Sequence, residues 1–151
     1  MPYFTAAIAE IQRYINMVPF LFTYKCTRDS VVCGKVIPNG TVTMPQIYSV
    51  LADDPVFEHP ELFRPERFLL DDGKTPNKAA HERLISFGMG KRQCLGEGLA
   101  RMELFLVLAS LLQAYRFVPE SRETAQSLFD NRVFGCCISP SPYECRLLPV
   151  K

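Results

Sequence analysis

The chain of 151 residues has the length of a single domain, and with 48% hydrophobic and 22% charged residues it has the composition of an ordinary globular protein. A formal net charge of +1 and the lack of any basic cluster argue against attraction to nucleic acid, so we expect no nucleic-acid partner. The N-terminal residues also lack the pattern of a secretory signal, which argues against a secreted protein.

The first predicted element is a helix over residues 3–17, where apolar residues such as Ile8 and Ile11 recur at helical spacing. Glu10 and Arg13 lie three positions apart and share one face of this helix, so their side chains can pair. A solvated surface salt bridge is the usual interpretation of such a pair when nothing else accompanies it.

Residues 36–41 are expected to form a strand and a turn, because Pro38 and the Asn-Gly pair after it favour turns. Residues 54–61 are expected to form a polar loop with a short helix.

A second charged motif follows in the segment FRPERF, where Arg67 lies between aromatic residues and a proline sets the backbone. Buried charges persist only when they are paired and hydrogen-bonded. We therefore expect a structural triad in which Glu10 is shared between Arg13 and Arg67.

The strongest functional signal lies in residues 87–96, FGMGKRQCLG. A thiolate binds metal better than a thiol, and a cation such as Arg92 or the N-terminus of a following helix favours the thiolate form. The glycines around Cys94 would let backbone approach a planar ligand, and Phe87 gives an apolar wall that limits water at the sulfur. The pattern predicts a thiolate loop beside a flat, bulky group such as haem; the alternative is a small buried cysteine without a ligand.

This spacing, Phe-x-x-Gly-x-Arg-x-Cys-x-Gly, resembles the haem-ligand signature of the cytochromes P450, the haem-thiolate monooxygenases. A Glu-x-x-Arg helix and a Pro-Glu-Arg-Phe-like segment precede it in the family's order, and the local details resemble the microsomal branch. The resemblance implies that Cys94 is the axial ligand of the haem iron and that Arg92 binds a haem propionate. Phe87, Gly90 and Gly96 would form the supporting loop.

The resemblance implies a mixed α+β fold, mainly α, in which residues 1–151 are a partial cytochrome P450 domain, the haem-ligand C-terminal third. Its expected parts are the Glu-x-x-Arg helix, small pieces of β-sheet, a meander, the cysteine-ligand loop, a long helix over residues 92–115 and a β-hairpin over residues 132–150. The long helix is apolar nearly all round, which is typical of a core helix, and here it would lack several neighbours. Its apolar run is too short to cross a bilayer.

Candidate substrate contacts come from two segments. Phe20, Leu21 and Phe22 follow the first helix, where the family's chain turns into a strand above the haem. Phe134 and Gly135 resemble the tip of the C-terminal hairpin, with Gly135 near a bend. Such side chains would suit an apolar substrate, although simple core packing is an equal alternative for each.

The chain departs from the family pattern at two places. Ser86 stands where members commonly have proline, so the entry to the cysteine loop would be less rigid. Tyr24 and Lys25 stand where relatives often present arginine or histidine to a propionate, and either could donate that hydrogen bond.

The remaining cysteines and the two histidines are expected to play structural or surface roles. No Cys-x-x-Cys pair occurs, which weakens a zinc-site or thioredoxin-like interpretation, and the five cysteines other than Cys94 are expected to be reduced. His59 and His81 are expected at the surface.

For the intact enzyme, the resemblance implies monooxygenation of a small apolar or xenobiotic-like substrate. The cofactor would be haem b (iron protoporphyrin IX), with dioxygen as co-substrate and electrons passed from NADPH by a flavoprotein reductase. Lys91 would belong to a basic face that meets this reductase. The implied location is the endoplasmic reticulum membrane, reached only through an N-terminal anchor that this chain lacks.

The long distal helix that carries an acid–alcohol pair in the family is also missing, so Met1 resembles an internal methionine used as a start. Three hypotheses remain open for the chain itself. It represents the haem-ligand third of a monooxygenase, a fragment that binds haem without turnover, or an unligated product whose exposed apolar surface recruits partners.

Overall fold

The computed structural model describes residues 1–121 and 131–150, in which helices and short strands alternate along the chain. The α-helices are α1 (Pro2–Ile15), α2 (Ile47–Asp53), α3 (Lys78–Arg83) and α4 (Glu97–Ala114). The strands are β1 (Tyr24–Lys25), β2 (Ser30–Val32), β3 (Lys35–Ile37), β4 (Val42–Thr43), β5 (Tyr115–Pro119), β6 (Val133–Phe134), β7 (Ile138–Ser139) and β8 (Cys145–Pro149). Single 3₁₀ turns lie at Pro65–Phe68 and Gly90–Arg92.

The strands of the described ranges form antiparallel pairs, β1 with β4, β2 with β3, β5 with β8 and β6 with β7. This arrangement confirms the predicted mixed fold, mainly α, with small pieces of sheet.

Helix α1 begins with a proline in its first turn, where the missing N–H costs nothing. It ends two residues before the predicted boundary because Asn16 adopts a left-handed conformation, with φ 46° and ψ 52°. The Asn16 amide donates to the carbonyl of Gln12 at 3.3 Å, which closes the last turn. The face of α1 that carries Ala6, Ala9 and Glu10 is buried.

The core lies between α1, α2 and the Pro65–Phe68 turn. Phe57 and Phe68 are fully buried, with ring centroids 6.0 Å apart. Burial of each such aromatic side chain contributes about 1.5–3 kcal/mol. The other buried apolar residues of this cluster are Ala6, Ala9, Ile47, Leu51, Leu69, Ala80 and Leu84.

The strand and turn predicted for residues 36–41 are confirmed. Strand β3 ends at Ile37, the Thr41 amide donates to the Pro38 carbonyl at 3.2 Å, and Gly40 takes a φ of +85°. The short helix predicted within residues 54–61 is wrong, because that segment consists of turns and the helix, α2, ends just before it. Asp54 is extended, with ψ 129°, as expected for a residue that precedes proline.

Helix α4 is shorter than the predicted 92–115, since it begins at Glu97 and ends at Ala114. The Cys94 amide folds back to the Phe87 carbonyl at 2.9 Å, so the preceding residues form a loop rather than a first helical turn. Phe105 packs edge-on against Phe4 of α1, with centroids 5.1 Å apart.

None of the α4 residues is buried, and Leu99, Leu106 and Val107 are each more than half exposed. Across residues 1–121 and 131–150, no helix combines the length and apolar character needed to cross a membrane.

The predicted hairpin over residues 132–150 is partly wrong. Strands β6 and β7 do form a hairpin, with Gly135 in its bend. The last strand, β8, pairs instead with β5, from Tyr115 opposite Pro149 to Pro119 opposite Cys145. Pro140 and Pro142 lie between β7 and β8. Because proline has no N–H to donate to a neighbouring strand, the β6–β7 pairing ends there and the chain continues into β8, which pairs with β5.

The surface position predicted for His81 is wrong. Its ring is half-buried and lies against Phe68, with centroids 5.0 Å apart, whereas His59 is exposed as predicted. Burial lowers the pKa of His81 below 6.5, and the positive charge of Arg101 lowers it further. A hydrogen bond to the Phe68 backbone raises the pKa but does not outweigh these two effects.

This lowered pKa predicts a pH-dependent stability. Below pH 6.5 the unfolded chain binds a proton at His81 more readily than the folded chain, so the free energy of unfolding should fall as the pH drops below that value. Above it, the contribution of His81 is fully present. Urea unfolding above and below pH 6.5 should show a smaller pH effect in His81→Gln than in the exposed-site control His59→Gln. Equal pH effects in both variants would contradict this assignment.

Candidate cofactor site

Glu10 lies at the centre of a buried ion cluster. Its carboxylate accepts hydrogen bonds from Nε of Arg13 at 2.8 Å and from Nε of Arg67 at 3.2 Å. The backbone amide of Arg64 donates to the same carboxylate at 2.8 Å. Glu10 is 0% exposed, Arg13 3% and Arg67 9%. The structure thus brings together the three residues of the predicted triad.

The other N–H groups of the two guanidinium groups donate to backbone carbonyls of helix α2 and of the loop that follows it. Arg13 donates to the carbonyls of Leu51 at 3.1 Å and Pro60 at 2.9 Å. Arg67 donates to that of Glu58 at 2.8 Å. Burial lowers the pKa of Arg67, and the charge of Glu10 opposes that effect. The cluster therefore fixes the loop between α2 and the Pro65–Phe68 turn to helix α1.

The cysteine loop leads from the end of α3 to the start of α4. Its backbone is held by short local hydrogen bonds: the Gly88 amide donates to Ile85 at 2.7 Å and the Cys94 amide donates to Phe87 at 2.9 Å. The Gln93 amide closes the 3₁₀ turn by donating to Gly90 at 3.1 Å. Cys94 is exposed at the end of this loop.

The three glycines of the loop have different roles. Gly90 has a φ of +69° and open space where a Cβ would lie, so backbone is free to approach a ligand there. Gly96 has a φ of −88°, which any residue can adopt; a Cβ at this position would lie 3.9 Å from the Cys94 sulfur.

Gly88 is a residue that the sequence analysis passed over. It combines a φ of +79° with a close approach to Leu21, whose Cδ1 would lie 3.4 Å from an added Cβ. The Gly-x-Gly spacing before the cysteine was the available signal, since alternate glycines in a tight loop often mark left-handed positions.

Replacement of Gly88 should therefore be costly. Gly88→Ala places a Cβ in a left-handed conformation, which should lower the free energy of unfolding by about 1–2 kcal/mol. The matched control is Gly98→Ala within α4, where nothing lies within 4 Å and alanine should be neutral or stabilising by up to about 1 kcal/mol. Thermal unfolding measures both variants, and equal stabilities would contradict the structural role of Gly88.

Arg92 extends from the loop over strand β1. Its guanidinium carbon lies 5.9 Å from the centroid of the Tyr24 ring. Arg92 and Lys25 are exposed, and Tyr24 is half-buried. The structure thus places the predicted propionate partner beside one of the two residues that replace the family's usual arginine or histidine.

The predicted substrate-lining residues separate into different environments. Leu21 is half-buried and contacts the cysteine loop at Gly88, whereas Phe20 is 45% exposed and Phe22 is 85% exposed. Gly135 is exposed in the β6–β7 bend, and the side chain of Phe134 lies outside the described structure. The Ile138 amide donates to the Met17 carbonyl at 2.7 Å, so the hairpin lies beside the segment that follows α1.

The candidate ligand for a metal at this loop is a single thiolate, that of Cys94. Over residues 1–121 and 131–150 no group of three or more His, Cys, Asp or Glu side chains could hold a metal ion, and the six cysteines there are free. A structural zinc site needs four protein ligands, whereas a porphyrin supplies four nitrogens and leaves one axial position for a thiolate. The exposed sulfur of Cys94 and the open space at Gly90, in the same loop, fit a haem.

Comparison with known proteins agrees with this chemistry. The profile of the family described as "Cytochrome P450" matches residues 1–146. The chain is 44% identical over 95% of its length to cytochrome P450 2D3 of Rattus norvegicus and covers 28% of that protein. It is 49% identical over 76% of its length to cytochrome P450 2E1 of Mus musculus, of which it covers 23%. It is also 42% identical over 95% of its length to cytochrome P450 2U1 of Homo sapiens, of which it covers 26%.

The chain thus spans about a quarter of the length of the relatives it matches. The family profile covers the triad, the cysteine loop and helix α4 together, so the likeness is not confined to one motif. This chain belongs to the cytochrome P450 family.

Proposed function

We propose that this chain forms the proximal, thiolate side of a haem-thiolate monooxygenase, with Cys94 as the axial ligand of haem b. The observation that carries the proposal is the exposed position of Cys94 at the end of its loop. The Cys94 amide donates to the Phe87 carbonyl, and the space beside Gly90 in the same loop is open. Residues 1–151 would then be one partial domain of the complete enzyme.

The chain's own residues have distinct parts in this proposal. Cys94 would supply the thiolate that holds the haem iron, and the Phe87 carbonyl orients the Cys94 backbone. Arg92, whose guanidinium lies over the Tyr24 ring, would hold a propionate through its charge, and Tyr24 could donate a hydroxyl hydrogen bond to the same group. Gly90 and Gly96 leave room for the macrocycle. When bound, haem with a thiolate ligand supplies the activation of dioxygen that inserts one oxygen atom into a substrate.

The activity of the intact protein is part of the same proposal. Its substrate would be a small apolar or xenobiotic-like molecule, and Leu21, beside the cysteine loop, is the best-placed of the candidate contacts. Electrons would come from NADPH through a flavoprotein reductase. The relatives named 2D3 and 2E1 support a microsomal type, which would act at the endoplasmic reticulum membrane.

A second candidate is a haem-binding chain without turnover. The exposure of α4, with no buried residue and several apolar side chains in solvent, favours it because the described residues leave both this helix and Cys94 open to solvent. An unligated chain whose apolar surface recruits partners is the remaining alternative.

Haem uptake separates the two haem-binding possibilities from the unligated chain, and turnover would then separate those two from each other. Titration of the purified chain with haemin should give a saturable absorbance change at one haem per chain. Cys94→Ala should weaken uptake by at least about tenfold, because the metal–ligand bond is lost. Cys33→Ala, which removes another exposed cysteine, should leave uptake unchanged. If the unchanged chain takes up no haem, the unligated alternative replaces the proposal.

A further inference from the structure

Arg101 connects the cysteine loop to two helices. It lies one turn after Glu97 in α4, and its Nε donates to a Glu97 carboxylate oxygen at 2.7 Å. Its Nη1 donates to the side-chain carbonyl of Gln12 in α1 at 3.2 Å. Its guanidinium carbon lies 5.3 Å from the centroid of the Phe87 ring. One side chain thus touches α1, α4 and the start of the loop.

Two of these contacts lead directly to Cys94. The Phe87 carbonyl accepts the hydrogen bond of the Cys94 amide at 2.9 Å. The other carboxylate oxygen of Glu97 accepts a hydrogen bond from the side chain of Gln93, the neighbour of Cys94. The Glu97 amide also donates to the Cys94 carbonyl at 3.4 Å. The partners of Arg101 therefore hold the cysteine backbone from both sides.

The third contact connects this network to helix α1. Gln12 lies in that helix between Glu10 and Arg13, two residues of the buried ion cluster. Its side-chain nitrogen is buried and, within the described ranges, has no hydrogen-bond partner. The bond from Arg101 to the oxygen of the same amide is thus the contact that orients Gln12.

The geometry of the network suits an arginine: the Arg101 guanidinium donates to Glu97 at 2.7 Å while its central carbon lies 5.3 Å from the Phe87 ring centroid. A planar guanidinium can lie flat against an aromatic ring and direct fixed donors to two different acceptors, whereas an ammonium group is a compact point charge without this planar geometry.

We infer that Arg101 is a positioning residue for the Cys94 loop, which it ties to helix α1 through Phe87, Glu97 and Gln12. The inference rests on the proposed function only in that this loop would carry the axial ligand. Arg101 touches no cofactor in this scheme and acts through its neighbours.

Amide hydrogen exchange in the haem-free chain tests the inference directly. Arg101→Gln should speed exchange of the Cys94 amide about tenfold, the effect expected when a charged hydrogen bond is lost. The Ile47 amide, which donates to Pro19 at 2.9 Å in the core, reports global stability and should be unchanged. Arg101→Lys should restore only part of the protection, and Glu97→Gln should also speed exchange at Cys94.

Arg83→Gln is the matched control, because Arg83 also forms a surface ion pair, to Asp54 at 3.6 Å, and lies outside the network. Its Cys94 exchange should equal that of the unchanged chain. The inference is overturned if Arg101→Gln leaves the Cys94 amide unchanged, if it speeds Cys94 and Ile47 equally, or if Arg101→Lys restores full protection. Because the measurement needs no haem, its failure is separate from a failure of haem uptake.

Discussion

Glu10→Gln should lower the free energy of unfolding by about 3–5 kcal/mol, the cost expected when one partner of a buried ion pair is removed. Two arginines, 3% and 9% exposed, would lose the charge that offsets their burial. The Arg64 amide would lose a charged acceptor as well. A domain of this size is stable by only about 5–15 kcal/mol, so the variant should unfold at far lower urea concentration or fail to fold.

The matched control is Glu61→Gln. Glu61 pairs with His59 at 3.6 Å, and both side chains are about two-thirds exposed. Solvent screens such a pair, so its loss should change stability by no more than about 0.5 kcal/mol. Urea unfolding followed by circular dichroism measures both variants. If Glu10→Gln were as stable as Glu61→Gln, the buried cluster would not hold the chain together as described here.

The local features of this fold can be predicted from the sequence. The apolar spacing that predicts α1 also places Glu10 and Arg13 on one face, and both lie on the buried side of the helix. The turn at Pro38 and Gly40 follows from the conformational limits of proline and glycine. Each of these predictions depends on residues within a few positions of one another.

The pairings between distant segments could not be predicted in the same way. Strand β8 pairs with β5 rather than with its neighbour, and nothing in a short apolar strand specifies a partner far along the chain. The start of α4 was placed too early because its apolar pattern does not mark a boundary, whereas the hydrogen bond from Cys94 to Phe87 does. No sequence pattern indicates that His81 is half-buried, since its burial depends on contact with Phe68, 13 positions earlier in the chain.

The candidate site shows the same division. The motif around Cys94 identifies the residues of the loop, and the Phe-x-x-Gly-x-Arg-x-Cys-x-Gly spacing directs attention to Arg92. The contact between Arg101 and Gln12 joins positions 89 residues apart, so only the folded chain reveals it. The Gly-x-Gly spacing hints at a left-handed position for Gly88, but its approach to Leu21 is visible only in the folded chain.

The ferrous carbon-monoxide spectrum of the haem-loaded chain tests the central claim most directly, because the position of the band depends on the ligand opposite carbon monoxide. The unchanged chain and Cys33→Ala should both show the red-shifted band of a thiolate-ligated haem. Cys94→Ala should lose that band completely while retaining the overall fold, since Cys94 is exposed and makes no packing contact in the core. A red-shifted band that survives in Cys94→Ala would contradict the assignment of this cysteine as the haem ligand.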